Sequence, residues 1–286
     1  KVVPSEVSYA DKNYTVIEIR SGAFSMASYL EKIVLPATVR KIGSGAFIDC
    51  SALREINLPK GIKTIEMSTF MDCVSLEEIV IPDTVEVMES AVFLGCSKLK
   101  KIKIPESVVE IKGSCFLQCT ALEEIEFSEG LTTIQGGAFV GCSSLKKVIL
   151  PKSMKTLYSD TFTSCQSLEQ IVIPEGVETI DDEFVHYCDN LKYVYYPKHL
   201  EEQFSNVKAE IDVRISYIVN EDGTVSLTVE NILAGTTDIQ LPSDLYGCEI
   251  VSVTGPEGVD LPVVCTKHRL GAYSKDAKQH WCVCNV

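Results

Sequence analysis

The sequence has no long apolar run and comparatively few basic residues. No stretch of about 18 consecutive apolar residues occurs, which excludes a helix that spans a bilayer. Lys and Arg number 26 against 40 Asp and Glu, and the formal net charge is −14. Nucleic acids and anionic lipid surfaces bind clustered Lys and Arg. We therefore expect neither nucleic-acid binding nor membrane insertion.

The common catalytic signatures are also missing. The sequence contains no G-x-S-x-G, no H-E-x-x-H, no Walker phosphate loop and no dinucleotide fingerprint. His186 and His199 lie in no recognisable constellation of acid, base and nucleophile. Asp181, Asp182 and Glu183 are adjacent in sequence and need not converge on a cation, so we interpret them as a solvated turn. The sequence predicts that the protein is not an enzyme.

What the sequence does contain is an internal repeat of 23 residues. A Leu keeps this period without a slip, at Leu30, Leu53, Leu76, Leu99, Leu122, Leu145, Leu168 and Leu191. A Pro keeps it too, with Ser128 as the only substitute, at Pro36, Pro59, Pro82, Pro105, Pro151, Pro174 and Pro197. So does a Phe, at Phe24, Phe47, Phe70, Phe93, Phe116, Phe139 and Phe162. Internal repetition at such a period is the signature of a solenoid.

Within each unit the apolar residues lie two or three apart, which indicates short strands and corners rather than a sustained helix. Ile56 and Leu58 point the same way across a strand, and Pro59 then ends the pairing because it lacks an N–H. Phe70 and Cys73 are three residues apart, which suits one tight helical or 3₁₀ turn. A unit of this length cannot close a core alone, so stacked units must share one.

Seven of the 12 cysteines keep the same period, at Cys50, Cys73, Cys96, Cys119, Cys142, Cys165 and Cys188. We interpret them as a buried file of thiols, each filling a slot for a small apolar side chain. Cys115 is interpreted as another small core residue. Disulfides between neighbouring rungs and a file of metal ligands are the alternatives, although same-facing side chains rarely reach the bridging torsion.

The repeated positions resemble the BspA-like class of bacterial leucine-rich repeats, whose unit carries the same Leu, Ile, Pro, Ala-Phe and Cys positions. The resemblance covers roughly residues 9 to 200. It implies a leucine-rich-repeat solenoid, a β-rich right-handed α/β superhelix with short helical turns, on a secreted or cell-surface bacterial protein. The chain starts at Lys1 without an initiator Met or a signal-peptide pattern, so we expect a mature or truncated product whose targeting segment was removed.

Two outward columns follow each repeat Leu. The first alternates strictly in sign, at Glu31, Arg54, Glu77, Lys100, Glu123, Lys146, Glu169 and Lys192. We interpret it as register control and solubility, because opposite charges on adjacent rungs oppose a slip, whereas a ligand-binding stripe would more naturally carry one sign.

The second column holds apolar or aromatic residues in five of eight units although it is expected to face outward. Solenoids bind along such faces, but β-branched residues are also simply favoured in strands. The candidate ligand-binding residues, centred on the last three, are Val80, Lys103, Glu126, Ile149, Val172 and Tyr195.

The array ends near "DDEFVHYC", where the Phe moves to Phe184, and Gln203 replaces the apolar residue that closes earlier units. We therefore predict a solenoid of about eight units over residues 1–208. Residues 209–258 are predicted to form β-strands that cap the solenoid or a lead-in repeat segment, with a hairpin turn at Asp222 and Gly223. A separate small β domain is the alternative. Residues 259–286 form a tail rich in Cys, His and Trp.

The tail carries C-x-x-H followed by C-x-C, which is the soft ligand set that zinc prefers. The candidate zinc ligands are Cys265, His268, Cys282 and Cys284. The C-x-C spacing departs from the usual zinc-knuckle C-x-x-C, and a disulfide or free thiols in a loosely ordered end are the alternatives. No other cofactor is expected.

Together these features predict a non-catalytic, adhesin-like monomer that binds an extracellular protein or glycan through the solenoid face. A structural spacer that presents another module is one alternative. The other is the non-catalytic part of a larger surface hydrolase.

Overall fold

The structure is a computed structural model that describes residues 1–207, 209–233, 236, 239, 241–242, 244–255, 275–276 and 279–280. The domain divisions predicted at residues 208 and 258 stay predictions. In the described part of the chain, no helix is long and apolar enough to cross a membrane.

The repeats stack into a solenoid with two ladders of short parallel strands. The ladder that follows each repeat Leu, here the leucine ladder, contains β4 (Lys32–Ile33), β6 (Glu55–Ile56), β9 (Lys101–Lys103), β11 (Glu124–Glu126), β13 (Lys147–Ile149), β15 (Gln170–Val172) and β17 (Tyr193–Pro197). The ladder that follows each repeat Pro, here the proline ladder, contains β3 (Glu18–Ile19), β5 (Lys41–Ile42), β7 (Thr64–Ile65), β8 (Val87–Met88), β10 (Glu110–Ile111), β12 (Thr133–Ile134), β14 (Thr156–Leu157) and β16 (Thr179–Ile180). Partners in both ladders are 23 residues apart, as in Ile102 with Ile125 and Ile111 with Ile134.

One continuous core runs through the stack from Ile19 to Ile211. The repeat Leu, Ile, Phe and Cys positions all contribute to it, because each rung places the same side chains above those of its neighbour. The rings from Phe24 to Phe162 form a stacked file with centroids 5.0 to 5.6 Å apart. The prediction of a β-rich repeat solenoid is confirmed.

In the corners the predicted tight turn is present as single i→i+3 hydrogen bonds, as from Cys73 N to Phe70 O at 3.1 Å, but it does not continue into a helix. In each corner the residue before the repeat Cys and the residue two before the repeat Phe take positive φ, as at Asp72 (57°) and Ser68 (55°). A right-handed helix cannot continue through such residues. The N–H groups between these turn bonds reach the next rung: Phe93 N donates to Cys115 O at 2.8 Å.

Beyond the repeats, strands continue the leucine ladder. After β17 come a 3₁₀ turn, η1 (Lys198–Leu200), and one short helix, α1 (Glu201–Phe204). The strands that follow are β18 (Val213–Val219), β19 (Val225–Ile232), β20 (Asp244–Leu245), β21 (Cys248–Thr254), β22 (Lys275–Asp276) and β23 (Gln279–His280). Strand β18 pairs parallel with β17 and antiparallel with β19, and β21 pairs parallel with β19. Strands β20 and β23 each pair antiparallel with β21, and β22 with β23. The predicted turn at Asp222 and Gly223 joins β18 to β19, with Gly223 at φ 82°.

A hairpin that the repeat pattern does not predict lies at the amino-terminal end of the solenoid. Strands β1 (Glu6–Tyr9) and β2 (Lys12–Thr15) pair antiparallel. Both turn residues, Ala10 and Asp11, have positive φ, as a two-residue hairpin requires.

Candidate functional site

The cysteine file is part of the core. Each of its seven thiols donates a hydrogen bond to the carbonyl of the Phe 26 residues earlier, at 3.0 to 3.3 Å. All seven are buried and none forms a disulfide, and Cys115 is buried as well. The core interpretation is confirmed. Within the described ranges, no group of three or more His, Cys, Asp or Glu side chains is arranged to hold a metal.

Burial also sets the chemistry of these thiols. It raises the pKa of Cys119 well above its usual value and that of Cys142 to about 12, because the interior disfavours a thiolate. The thiols from Cys50 to Cys142 are therefore protonated at neutral pH, and a protonated thiol is a poor nucleophile and a poor metal ligand.

The second outward column divides into an open part and a covered part. Val80 is 82% exposed and Ile149 is 46% exposed. Lys103 and Glu126 are also exposed and pair with each other at 3.3 Å. These four residues stay candidates for ligand contact.

The prediction that Val172 and Tyr195 face a partner is wrong, because they are 2% and 1% exposed. The carboxyl-terminal strands fold back over them and form a second core that includes Leu241 and Leu245. The hydroxyl of Tyr246 donates to the carbonyl of Leu150 at 2.9 Å, close to the carbonyl of Val172 at 3.3 Å. At this end of the column the outward residues Val172 and Tyr195 therefore pack against the chain's own carboxyl-terminal strands.

Polar contacts also hold these strands to the solenoid. The buried Tyr217 hydroxyl donates to Ile173 O at 2.8 Å. Lys198 lies between two carboxylates, 2.5 Å from Glu201 and 2.7 Å from Glu230. The buried Ser216 hydroxyl donates to the same Glu230 carboxylate. These contacts give Tyr217, Lys198 and Ser216 polar partners at the junction between the solenoid and β18–β19, whereas the buried Nε of Arg214 in β18 has no hydrogen-bond partner among the residues that the structure describes.

The two histidines of the repeat region make contacts that belong to the fold. His199 Nε2 hydrogen-bonds the carbonyl of Val177 at 2.8 Å. The His186 ring stacks on that of Tyr187, with centroids 3.9 Å apart. Neither contact is one that a general base would need.

Ion pairs join neighbouring rungs at the repeat spacing. Eight of them connect residues 23 apart: Glu18–Lys41, Lys32–Glu55, Lys63–Glu86, Glu77–Lys100, Glu89–Lys112, Lys103–Glu126, Lys155–Glu178 and Glu169–Lys192. Two of these, Glu77–Lys100 at 2.9 Å and Glu169–Lys192 at 3.2 Å, belong to the column of alternating charge. This pairing is the arrangement that register control requires.

Sequence reasoning missed an apolar surface on the amino-terminal hairpin. Val7 pairs directly with Tyr14, and Tyr9 lies on the same face two residues along β1. All three are exposed, Tyr9 by 75%. The signal was the alternation in "EVSYADKNYT", where every second residue on either side of the turn is apolar or aromatic with the exception of Lys12.

The predicted zinc ligands of the tail, Cys265, His268, Cys282 and Cys284, lie outside the described residues.

Solved structures of bacterial repeat proteins are similar to this chain. A leucine-rich repeat protein of T. pallidum is 29% identical, with 73% of this chain and 83% of that chain covered and a TM-score of 0.49. A leucine-rich cell surface protein from Faecalibacterium prausnitzii is 21% identical, over 73% and 86%, with a TM-score of 0.34. The pneumococcal vaccine antigen PcpA is 17% identical, over 73% and 87%, with a TM-score of 0.32. No curated protein matches.

The family described as BspA type leucine-rich repeat region matches in six copies, over residues 17–119 and 89–209. These matches span the two ladders, the Phe file and the thiol file described above. The chain therefore belongs to the BspA-type leucine-rich-repeat family.

Proposed function

We propose that this protein is a non-catalytic, secreted or cell-surface bacterial protein that binds an extracellular protein or glycan through exposed apolar and aromatic side chains on its surface. Membership of the BspA-type family supports the location, because proteins with this repeat are expected to be secreted or bound to the bacterial surface. The observation that carries the binding role is the exposed face formed by Val7, Tyr9 and Tyr14 on the hairpin.

A two-stranded hairpin has little stability on its own, and this one keeps its apolar face in water. A partner that covered the face would bury aromatic rings, which stack on sugars or protein side chains and often dominate binding energy. The exposed part of the leucine ladder, with Val80 and Ile149 beside the Lys103–Glu126 pair, is the second candidate contact. Exposed apolar side chains at both places favour an interaction protein.

The test is an array of glycans and extracellular-matrix proteins probed with the full chain. We expect saturable binding to at least one component and at least about a tenfold loss of affinity in the Tyr9→Ser/Tyr14→Ser variant. The Val80→Ser/Ile149→Ser variant tests the second contact in the same way. Tyr187→Ser is the control, because Tyr187 is a tyrosine on a corner of the solenoid whose exposure, 64%, lies between those of Tyr9 and Tyr14.

Two results would replace the proposal. Absence of any saturable partner would favour a structural spacer. Binding that appears only with an associated catalytic chain would favour the non-catalytic part of a surface hydrolase.

A further inference from the structure

Four consecutive repeats carry bands of alternating charge on the segments that follow their Leu, and the last three of these segments contain the strands β9, β11 and β13. We call their outward surface the charged face. Its residues, rung by rung, are Glu77, Glu78 and Val80, then Lys100, Lys101 and Lys103, then Glu123, Glu124 and Glu126, then Lys146, Lys147 and Ile149. Every rung carries charge of a single sign, and the four rungs together are neutral on a chain of net charge −14. Two copies that meet at this face therefore do not bring an excess of like charge together there.

Pairing within one chain leaves these groups accessible. The Glu77–Lys100 and Lys103–Glu126 pairs have contact distances of 2.9 and 3.3 Å, yet the Lys103 side chain is 73% exposed and that of Glu126 is 55% exposed. An ammonium has three donors and a carboxylate about four acceptor positions, so one cross-rung contact uses only part of their capacity. The remaining donors and acceptors of these side chains are open to solvent.

The order of the bands makes the charged face of one copy complementary to the charged face of a second copy. A two-fold axis parallel to the strands, between the rungs of Leu99 and Leu122, reverses the order of the rungs and keeps each column in place. Lys103 of one copy then faces Glu126 of the second copy, and the band that begins at Glu77 faces the band that begins at Lys146. The two central bands lie on the paired strands β9 and β11, which are about 4.8 Å apart, so in this arrangement they face the opposite charges of the second copy in register. An interface of this kind is isologous.

The apolar residues obey the same symmetry. Val80 lies on the first rung and Ile149 on the fourth, in the same column, and both are exposed. The two-fold axis places Val80 of one copy opposite Ile149 of the other, at both ends of the charged bands. The charged residues and the apolar residues are thus both complementary in the same two-fold arrangement.

We propose that the charged face pairs with the charged face of a second copy, giving a two-fold dimer that salt weakens. Its twelve outward residues per copy are fewer than the 20 to 30 of a standard interface, so the dimer is weak. The proposed dimer differs from the monomer expected from the sequence. It does not rest on the proposed function, since it involves copies of this chain only.

The deciding experiment mixes two charge variants of the full chain. Lys101→Glu/Lys103→Glu makes the two central rungs both acidic, and Glu124→Lys/Glu126→Lys makes them both basic. Sedimentation velocity is expected to show self-association of the wild type in about 0.05 M salt, weakened at least about tenfold in 0.5 M salt. Each variant alone is expected to be monomeric, and an equimolar mixture to dimerise, because opposite central bands then face each other. Charge pairs that act only within one chain predict no effect of mixing.

Controls keep the outcome decisive. Lys63→Glu removes an equally exposed cross-rung pair, Lys63–Glu86 at 2.6 Å beside the proline ladder, and is expected to leave association unchanged. Circular dichroism melts check that each variant is folded. If a double variant fails to fold, Val80→Arg replaces it, because an 82% exposed side chain tolerates substitution and an Arg there lies opposite Ile149 of the second copy, in the same band as Lys146 and Lys147. A wild type that is monomeric in low salt at about 0.2 mM, a folded mixture that does not associate, or undiminished association of Val80→Arg overturns the proposal.

Discussion

The side-chain amide of Gln203 bonds Ile180 in place of the backbone of a further rung. Ile180 N donates to Gln203 Oε1 at 2.9 Å, and Gln203 Nε2 donates to the carbonyl of Glu178 at 3.0 Å. Strand β16 is the last strand of the proline ladder. One side-chain amide thus supplies both the acceptor and the donor that the next rung would have provided.

Replacing Gln203 by Leu is expected to lower the free energy of unfolding by about 1 kcal/mol, because the N–H of Ile180 and the carbonyl of Glu178 lose their partner. Urea denaturation monitored by circular dichroism measures the change. Glu202→Leu, at the exposed neighbouring position, is the control and is expected to change stability by less than about 0.5 kcal/mol. Equal stability of Gln203→Leu and wild type would show that water replaces the amide without cost.

Alkaline pH is expected to destabilise the protein through the thiol file. The pKa of each thiol from Cys50 to Cys142 is raised in the folded state, chiefly by burial. Above the unfolded pKa of about 8.5 the unfolded chain releases these protons and the folded chain keeps them. The stabilisation is therefore complete below that pH and is lost as the pH rises toward the folded pKa, by about 1.4 kcal/mol per thiol per pH unit.

Urea titrations between about pH 8 and pH 10 measure this slope. Cys142→Ala removes one titrating thiol, so its stability is expected to fall less steeply with pH than that of the wild type, whatever its stability at pH 7. Parallel slopes for the two proteins would contradict burial as the cause.

Tyr195 and Ile149 occupy the same outward column but are expected to respond differently to replacement by Ser. Tyr195→Ser is expected to cost about 3 kcal/mol or more, because it opens a cavity in the second core. Ile149→Ser, at a half-exposed site, is expected to cost less than about 1 kcal/mol. Midpoints of urea unfolding compare the two variants. Similar small effects would mean that the carboxyl-terminal strands do not cover Tyr195.

The tail cysteines are distinguished by metal content and thiol count. A zinc site at Cys265, His268, Cys282 and Cys284 is expected to give about one zinc per chain in protein purified without added metal, with these thiols protected from alkylation until a chelator is added. A disulfide gives no zinc, and two of the three tail cysteines are then alkylated only after reduction. Alkylation of the tail thiols in the folded protein, without bound metal, would rule out both ordered states.

The repeat determined most of the solenoid without further information. Because each rung meets only its neighbours, a side chain that recurs every 23 residues has the same environment in every rung, and one assignment of inward and outward positions serves for all. The buried thiols and the ion pairs such as Glu77–Lys100 follow from that spacing. The corners did not follow, since a Phe and a Cys three residues apart also suit a helical turn. What decided the corners is that N–H groups bonded within the corner, such as Cys73 N to Phe70 O, alternate with N–H groups bonded to the next rung, such as Asp72 N to Leu94 O, and this path passes through left-handed residues such as Asp72.

The sequence by itself therefore determined the period, the shared core and the family, because contacts between neighbouring rungs repeat along the chain. Only the tertiary structure decided which outward residues are open to a partner. Tyr246 and Leu150 are 96 residues apart, and their contact belongs to no repeat. Strand alternation fixes the side of the sheet on which Val172 and Tyr195 lie, but burial depends on what else covers that side. Here the covering is supplied by strands from outside the repeat.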